Sequence, residues 1–404
     1  MEPSDKTVAY CALNLIFGYH PRFALDLIER AGGPLEVFTG PHPELPDHPE
    51  LSGQVCPQAL EKARKELQIV YDSGFRFLDM EDDSYPAALR ECPEPPLGLY
   101  LNGTSSVTEI FRLRPMVAFV GTRDMSPYGR AWCQQLVDAL SEARVQPAIV
   151  SGLALGIDGV AHRTALQCGL PTIGVMATGI DAVYPWQHRQ LAMDMVKAPG
   201  CALVTDYPLD TAPVALNFVR RNRIIAGLAS AVVVVESKTK GGSLMTAKYA
   251  VEYDREVFAV PGRLDDVRSA GCNSLIASDM ARIVTSAEQL VDALGLGGPH
   301  RHRGAGGSWL TSQAGDPPER VLQAFLARKY GPGSLLVGIG LTVLAERGIT
   351  PETLAFRLHR PYPEILSGIG TLEADGIITT DLLQRCSIAG RFGEPLPHPQ
   401  KPAP

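Results

Sequence analysis

Positive charge is concentrated between residues 217 and 248, in a chain that is acidic overall. The 404 residues carry a formal net charge of −7, whereas this segment contains only one acid, Glu236. Its six cations are Arg220, Arg221, Arg223, Lys238, Lys240 and Lys248. A local excess of this kind is typical of a surface that neutralises phosphates. The chemistry that these residues predict is the electrostatic binding of a polyanion.

A glycine-rich turn in the same segment joins a predicted strand to a predicted helix. The apolar, β-branched run 231–235 indicates a buried parallel strand, and helical spacing begins at Leu244. Gly241 and Gly242 could adopt positive φ, and Ser243 is a candidate N-cap. Free N–H groups at such a helix start would cradle a phosphate, together with the neighbouring lysines. The alternative is a simple strand-to-helix turn beside a solvated face.

Two further turns follow predicted strands. The strand that begins at Met116 ends in Gly121-Thr122-Arg123, and the strand that begins at Ala148 leads into Ser151-Gly152. Strands alternating with helical patterns predict an α/β fold with an extended Rossmann-like, doubly wound parallel sheet. Ligands of such sheets bind outside the carboxyl ends of the strands. The three turns should therefore converge on one face.

No known catalytic or cofactor pattern fits these turns. Neither the dinucleotide fingerprint nor the Walker phosphate loop is present. Asp158 and His162 share a predicted helix face and could form an acid/base couple, but a structural hydrogen-bonded pair is favoured. There is no nucleophile elbow and no His, Asp or Glu cluster with metal-ligand spacing. We predict no catalytic residue, no metal and no cofactor.

Six ordered motifs resemble those of the DprA/Smf family. They are Gly121-Thr-Arg with Ser126-x-Tyr128-Gly129, Ser151-Gly-Leu-Ala-x-Gly-Ile-Asp-x-x-Ala-His162, Tyr184-Pro185-x-x-His188, Arg221-Asn-Arg-Ile-Ile-Ala-Gly-Leu, Gly242-Ser-Leu-Met-Thr-Ala and Val257-Phe-Ala-Val-Pro-Gly262. The resemblance is dense between residues 85 and 283. It implies a single-stranded-DNA-binding protein of natural transformation, which protects incoming DNA and loads the RecA recombinase on it. It also implies a homodimer built on the core domain.

The candidate single-stranded-DNA site combines these motifs with the cationic segment. Its predicted residues are Arg123, Ser151, Gly152, Arg220, Arg221, Asn222, Arg223, Lys238, Gly241, Gly242, Ser243 and Lys248. Side-chain cations would neutralise phosphates, and the amides of the glycine turns would donate hydrogen bonds to them. For Asn222 and Arg223, a buried network that stabilises the helix remains an alternative. Few aromatic residues lie near these turns in the sequence, so we expect modest base stacking.

Two other classes of function remain open. Nucleoside-monophosphate phosphoribohydrolases resemble this domain in fold and carry a Pro-Gly-Gly-x-Gly-Thr-x-x-Glu motif with a catalytic glutamate. Here Ala247 falls near the place where the acid would be needed, and Glu236 is the nearby carboxylate. A structural adaptor that acts only through partners is the third possibility, and it predicts no affinity for oligonucleotides.

Composition suggests six segments. We expect a small helical domain at 1–80, a connector at 81–110, the Rossmann-like core at 111–294, a flexible linker at 295–318, a winged-helix-like domain at 319–389 and a disordered tail at 390–404. The predicted recognition helix 362–374 has no Lys or Arg, which favours a protein-interaction or regulatory module over a DNA reader.

The remaining expectations concern location and assembly. Eight scattered cysteines and the lack of a signal or membrane-spanning run predict a soluble, cytoplasmic protein without membrane contact. Leu275, Ile276 and Met280 appear hard to bury in the layer that accommodates Ile283 and Val284. We therefore expect these three side chains to form an isologous dimer contact.

Overall fold

A computed structural model describes residues 2–39, 51, 53–111, 114–297, 318–346, 349–375, 377–380 and 386–388. The chain divides into two compact units, Met1–His302 and Arg303–Pro404. Most of the predicted linker at 295–318 and all of the predicted tail from residue 390 lie outside the described residues.

Within the described residues, four helices whose bounds are defined precede the sheet. They are α1 (Asp5–Phe17), α2 (Pro21–Ala31), α3 (Glu36–Thr39) and α4 (Pro57–Asp72). The Ser4 side chain caps α1 by accepting a hydrogen bond from the Thr7 N–H, and α2 ends at Gly32 with a φ of 86°. Their apolar faces share one hydrophobic cluster with Tyr100 and Leu203 of the sheet. The helical segment is thus packed on the core.

A nine-stranded sheet forms the centre of the first unit. Its strands are β1 (Arg76–Asp79), β2 (Gly98–Asn102), β3 (Met116–Val120), β4 (Ala148–Ser151), β5 (Thr172–Val175), β6 (Ala202–Thr205), β7 (Ala231–Val234), β8 (Glu256–Ala259) and β9 (Arg282–Ile283). The spatial order is β1-β2-β6-β5-β4-β3-β7-β8-β9. Strands β3 to β9 are parallel to one another. Strand β2 runs antiparallel beside β6, and β1 runs antiparallel beside β2. The segment expected to be a connector therefore supplies a strand of the sheet.

Helices cover both faces of the sheet, which confirms the predicted doubly wound fold. The helices are α5 (Ala87–Arg90), α6 (Val107–Phe111), α7 (Pro127–Ser141), α8 (Ile157–Gln167), α9 (Arg189–Lys197), α10 (Ala215–Leu228), α11 (Gly242–Glu252), α12 (Ala270–Ala277) and α13 (Ala287–Ala293). Along β3, Val117 and Phe119 join the cluster that includes α7 and α8, whereas Ala118 and Val120 join the cluster that includes α10 and α11. Burial on both faces explains the continuous apolar runs of the strands.

The predicted dimer patch is mostly part of the core. Leu275 is buried in the same cluster as β3 and β7, and Ile276 and Met280 pack partly against that cluster. The expectation that these three are hard to bury in this layer was wrong for Leu275, because α12 turns that side chain toward the sheet, whereas Ile276 and Met280 are only partly buried. Ile283, which we expected to be covered, is 42% exposed on the edge strand β9.

The described residues of the second unit form four helices and a two-stranded ribbon. They are α14 (Pro318–Tyr330), α15 (Leu335–Ala345), α16 (Pro351–Leu358), α17 (Tyr362–Ala374), β10 (Ile378–Thr380) and the antiparallel β11 (Cys386–Ile388). This order agrees with the winged-helix pattern. Helix α15 escaped prediction because its almost continuous apolar sequence lacks the polar contrast that reveals helical periodicity. Within the described residues, the chain forms no helix that is long and apolar enough to cross a membrane.

Candidate nucleic-acid interface

The site lies where the connections of the sheet diverge. From β3 the chain proceeds to β4 on one side, whereas β7 pairs with β3 on the other side. The crevice outside the carboxyl ends of two such strands is the usual ligand position of a doubly wound sheet. The Thr122 N–H joins the two turns there, since it donates to the Glu236 carbonyl over 2.8 Å.

An exposed arginine lies on aromatic side chains at this position. The guanidinium carbon of Arg123 is 4.9 Å from the ring centroid of Phe218, and the Tyr184 ring is 5.5 Å from Phe218 at an interplanar angle of 61°. Arg123 has no ion-pair partner among the described residues. A cation and two aromatic rings suit both the phosphate and the base of a nucleotide.

Sequence reasoning missed this aromatic cluster. We had expected few aromatic residues near the turns, but Tyr184 and Phe218 are distant from Arg123 only along the chain. The fold brings them together because Tyr184 follows β5 and Phe218 lies in the first turns of α10. The signal in the sequence was that Tyr184 belongs to one of the six motifs and that Phe218 comes three residues before another. The premise of few aromatic residues near the turns was therefore wrong, whereas the extent of base stacking stays a prediction.

The glycine turn before α11 differs from the expected cap. Gly241 is the N-cap residue with a φ of −74°, and Gly242 does not have a positive φ either. Gly241 is required for close packing, since a Cβ there would collide with the Ser237 hydroxyl. Ser243 is buried and donates its hydroxyl hydrogen to Ser237 Oγ over 2.8 Å, so its assignment as N-cap was wrong.

The same turn still presents donors and cations. Within the described residues, no hydrogen bond uses the N–H of Gly242 or Ser243. The side chains of Lys240 and Lys248 are exposed, and Lys238 is 3.7 Å from Asp124 in a solvent-exposed ion pair. Such a pair contributes little stability and can be exchanged for an external anion. This part of the prediction agrees with the geometry.

Three predicted contacts lie inside the protein. The Ser151 hydroxyl donates to the Phe119 carbonyl over 2.6 Å, and the Gly152 N–H donates to Asp158 Oδ2 over 3.1 Å. Arg221 is buried and donates to the carbonyls of Gly152 and Val175. Assigning these groups as direct phosphate contacts was wrong, because internal partners already occupy them. These internal hydrogen bonds hold the turn after β4 in place from the protein interior.

Asp158 and Arg221, the two charged groups beneath this turn, are both buried, and each shifts the pKa of the other. Burial raises the pKa of Asp158 to about 6, and the nearby Arg221 charge opposes that rise. Burial lowers the pKa of Arg221 to about 10, while Asp158 acts in the opposite direction. Each charge is retained because the other lies beside it.

The other residues of α10 hold neighbouring elements. Arg223 donates to Asp206 over 2.5 Å and to the Glu94 carbonyl over 3.0 Å, and both charged side chains are at most 5% exposed. Asn222 donates to the Gly242 carbonyl over 3.2 Å. The alternative of a buried network therefore describes Arg223, and its assignment to phosphates was wrong. Arg220 is half-buried, donates to the Gly18 carbonyl and lies over the Tyr19 ring at 4.3 Å.

The side chains considered for acid/base chemistry, Asp158, His162 and Glu236, also have hydrogen-bond partners inside the protein. His162 is buried with Nδ1 2.7 Å from Thr172 Oγ1, and burial lowers the pKa of its imidazole to about 3. Asp158 binds the Gly152 N–H instead of His162. Glu236 is 1% exposed and accepts from the Ser126 N–H over 2.9 Å and from the Ser126 hydroxyl. Across the described ranges, no group of three or more His, Cys, Asp or Glu could hold a metal ion.

A doubly wound sheet with an aromatic and cationic crevice at its switch point places this chain among the α/β proteins with a Rossmann-like core. The family model of DNA recombination-mediator protein A matches residues 76–295. The chain belongs to this family, whose members include the proteins called DprA and Smf.

Relatives show how far the similarity extends. Protein Smf of Escherichia coli is 36% identical over 302 residues, which are 74% of this chain and 73% of the relative. Protein Smf of Synechocystis is 42% identical over 220 residues, 54% of each chain. The X-ray structure of DNA processing protein A from Streptococcus pneumoniae aligns with a TM-score of 0.56 and 30% identity, and the alignment covers 74% of this chain and all of that one.

Proposed function

We propose that this protein binds single-stranded DNA in the crevice outside β3 and β7. The observation that carries the proposal is the exposed Arg123 guanidinium on Phe218, with Tyr184 against the same ring. The guanidinium can bind a phosphate, and the aromatic edge and face nearby can accept an unstacked base. Free amides at the start of α11 and the exposed Lys240 and Lys248 supply further phosphate contacts.

Single strands suit this arrangement better than duplexes. An aromatic side chain can stack only on a base whose face is accessible, and a duplex covers those faces with neighbouring base pairs. The cations alone would bind any nucleic acid, since phosphate contacts carry no information on strand type. The combination of the two kinds of residue is what favours single-stranded DNA.

Strand preference and salt dependence test this function. A duplex should bind at least about tenfold more weakly than a single strand of equal length, because it cannot stack on the aromatic residues. The logarithm of the affinity should fall with the logarithm of the salt concentration by about 0.7 for each phosphate contact. Filter binding at several salt concentrations measures both quantities. Equal affinities, or a slope near zero, would contradict the proposed function.

We further propose that the protein acts by binding and is not an enzyme. The phosphoribohydrolase alternative requires a free acid, but both Glu236 oxygens accept hydrogen bonds from Ser126 and the side chain is inaccessible. Ala247, which falls near the place where those hydrolases have their glutamate, is buried. Incubation of the pure protein with AMP should therefore release no adenine on chromatographic analysis. Stoichiometric excess of adenine over protein would establish the enzymatic function instead.

Membership of the family supports a finer proposal. We propose that the bound strand is protected, that the RecA recombinase is loaded on it during natural transformation, and that the protein acts as a homodimer in the cytoplasm. None of the eight cysteines forms a disulfide, as expected in a reducing compartment. Nuclease protection and RecA assembly on oligonucleotides test the first two statements. Sedimentation at micromolar concentration tests the dimer, for which exposed Ile283 is now a better contact than buried Leu275.

A further inference from the structure

A second cationic cluster lies outside the predicted site. Arg163 of α8 has its Nη1 3.4 Å from Nε2 of His188, and Nδ1 of His188 is 2.8 Å from the Leu153 carbonyl. Because a carbonyl only accepts, Nδ1 must carry the hydrogen, and Nε2 of a neutral imidazole is then the acceptor for Arg163. The arginine is thus positioned by a neutral group and keeps its full positive charge available.

No acid balances this charge. Arg163 and Arg130 of α7 are both exposed, and neither forms an ion pair with any residue that the structure describes. Burial of part of the side chain and the positive charge of Arg130 both lower the pKa of Arg163. Because neither arginine has an acidic partner within ion-pair distance among the described residues, an external anion can serve as their counter-ion.

The cluster is continuous with the Arg123 site along α8. Gly156, the N-cap of α8, lies against the Arg123 backbone, since a Cβ on Gly156 would be 2.7 Å from the Arg123 Cα. Arg163 is seven residues further along the helix, a rise of about 10 Å. One extended strand of nucleic acid could therefore contact both arginines.

The turn 184–188 links the two sites a second time. Tyr184 contacts Phe218 beside Arg123, and His188 contacts Arg163. Between them Trp186 is 76% exposed. A large indole kept in solvent between two cationic sites is a stacking surface for a base.

We propose that Arg163 and Arg130 form a second phosphate subsite, which holds the same DNA strand a few nucleotides beyond Arg123. The Trp186 ring stacks on a base of the intervening segment. This proposal rests on the proposed binding of single-stranded DNA and adds the direction in which the strand leaves the crevice, from Arg123 past the exposed Trp186 toward Arg163.

Oligonucleotides of two lengths test the subsite. A thymidine dinucleotide, about two nucleotides long, can occupy the Arg123 site alone, whereas an oligothymidine of about twenty nucleotides reaches both sites. Arg163→Ala and Arg130→Ala should each weaken binding of the longer strand by about fivefold and reduce its salt slope by about 0.7. Neither change should affect the shorter strand. Arg123→Ala should weaken binding of both strands.

Controls separate charge from folding. Arg144→Ala removes an equally exposed arginine that follows α7 at its opposite end, and it should leave both affinities unchanged. Arg130→Glu changes a residue without a described side-chain hydrogen bond, so its urea unfolding should match the wild type while its affinity for the longer strand falls further. If Arg163 and Arg130 variants bind both strands like the wild type while Arg123→Ala weakens binding, the second subsite is wrong and the proposed function stands. If the wild type does not prefer single strands, the proposed function itself fails.

Discussion

Arg123→Ala and Phe218→Leu should each reduce the affinity for a single-stranded oligonucleotide by about tenfold or more, since a base stacked on an aromatic ring contributes about 1–3 kcal/mol. The two side chains contribute in different ways. Arg123 supplies a phosphate contact, whereas Phe218 supplies a surface for the base and positions the guanidinium. Fluorescence anisotropy with a labelled oligothymidine measures both losses.

Salt dependence distinguishes the two roles. Arg123→Ala should reduce the slope of log affinity against log salt by about 0.7, because one phosphate contact is lost. Phe218→Leu should leave the slope almost unchanged. Because the two side chains touch, the loss in the double variant should be smaller than the sum of the single losses in free energy. If both single variants bind the oligonucleotide with wild-type affinity, the aromatic and cationic crevice is not part of the DNA-binding site.

The sheet could be predicted from sequence because its signal is local. Strands β3, β4 and β7 are each a short apolar run followed by a turn that contains glycine, and this pattern arises from burial on both faces. The starts of α16 and α17 could likewise be predicted from sequence, since each helix has a proline in its first turn. Strand β2 was hidden because the prolines before it suggested a connector. Its partners, β1 and β6, cannot be inferred from local composition.

The site was only partly predictable because charge does not reveal orientation. Arg220, Arg221 and Arg223 are close in sequence, but successive residues of a helix point in directions about 100° apart. Arg221 and Arg223 point in directions about 200° apart, yet both are buried, because Gly152 accepts from Arg221 on one side and Asp206 pairs with Arg223 on the other. Those partners lie in other strands and turns, so only the fold could show them. The same long-range assembly places Tyr184 and Phe218 beside Arg123.

Arg223→Ala should lower the free energy of unfolding of the first unit by about 3–5 kcal/mol, because it leaves the Asp206 carboxylate buried without its partner. Arg223 is 2% exposed and Asp206 5%, and their polar atoms are 2.5 Å apart. The Glu94 carbonyl would also lose its donor. Urea unfolding followed by circular dichroism measures the change.

An exposed ion pair provides the matched control. Arg263 and Asp265 are also arginine and aspartate, with polar atoms 2.9 Å apart, but their side chains are 82% and 70% exposed. Arg263→Ala should change the free energy of unfolding by less than about 1 kcal/mol, because water solvates the remaining charge. Replacing both buried partners, by Arg223→Met with Asp206→Leu, should recover much of the lost stability, since no unpaired charge then remains in the core. Equal losses in Arg223→Ala and Arg263→Ala would show that burial does not determine the strength of the Arg223 pair. If the double variant regains stability but not DNA affinity, Arg223 has a direct role in DNA binding. The burial of Arg223 argues against that result.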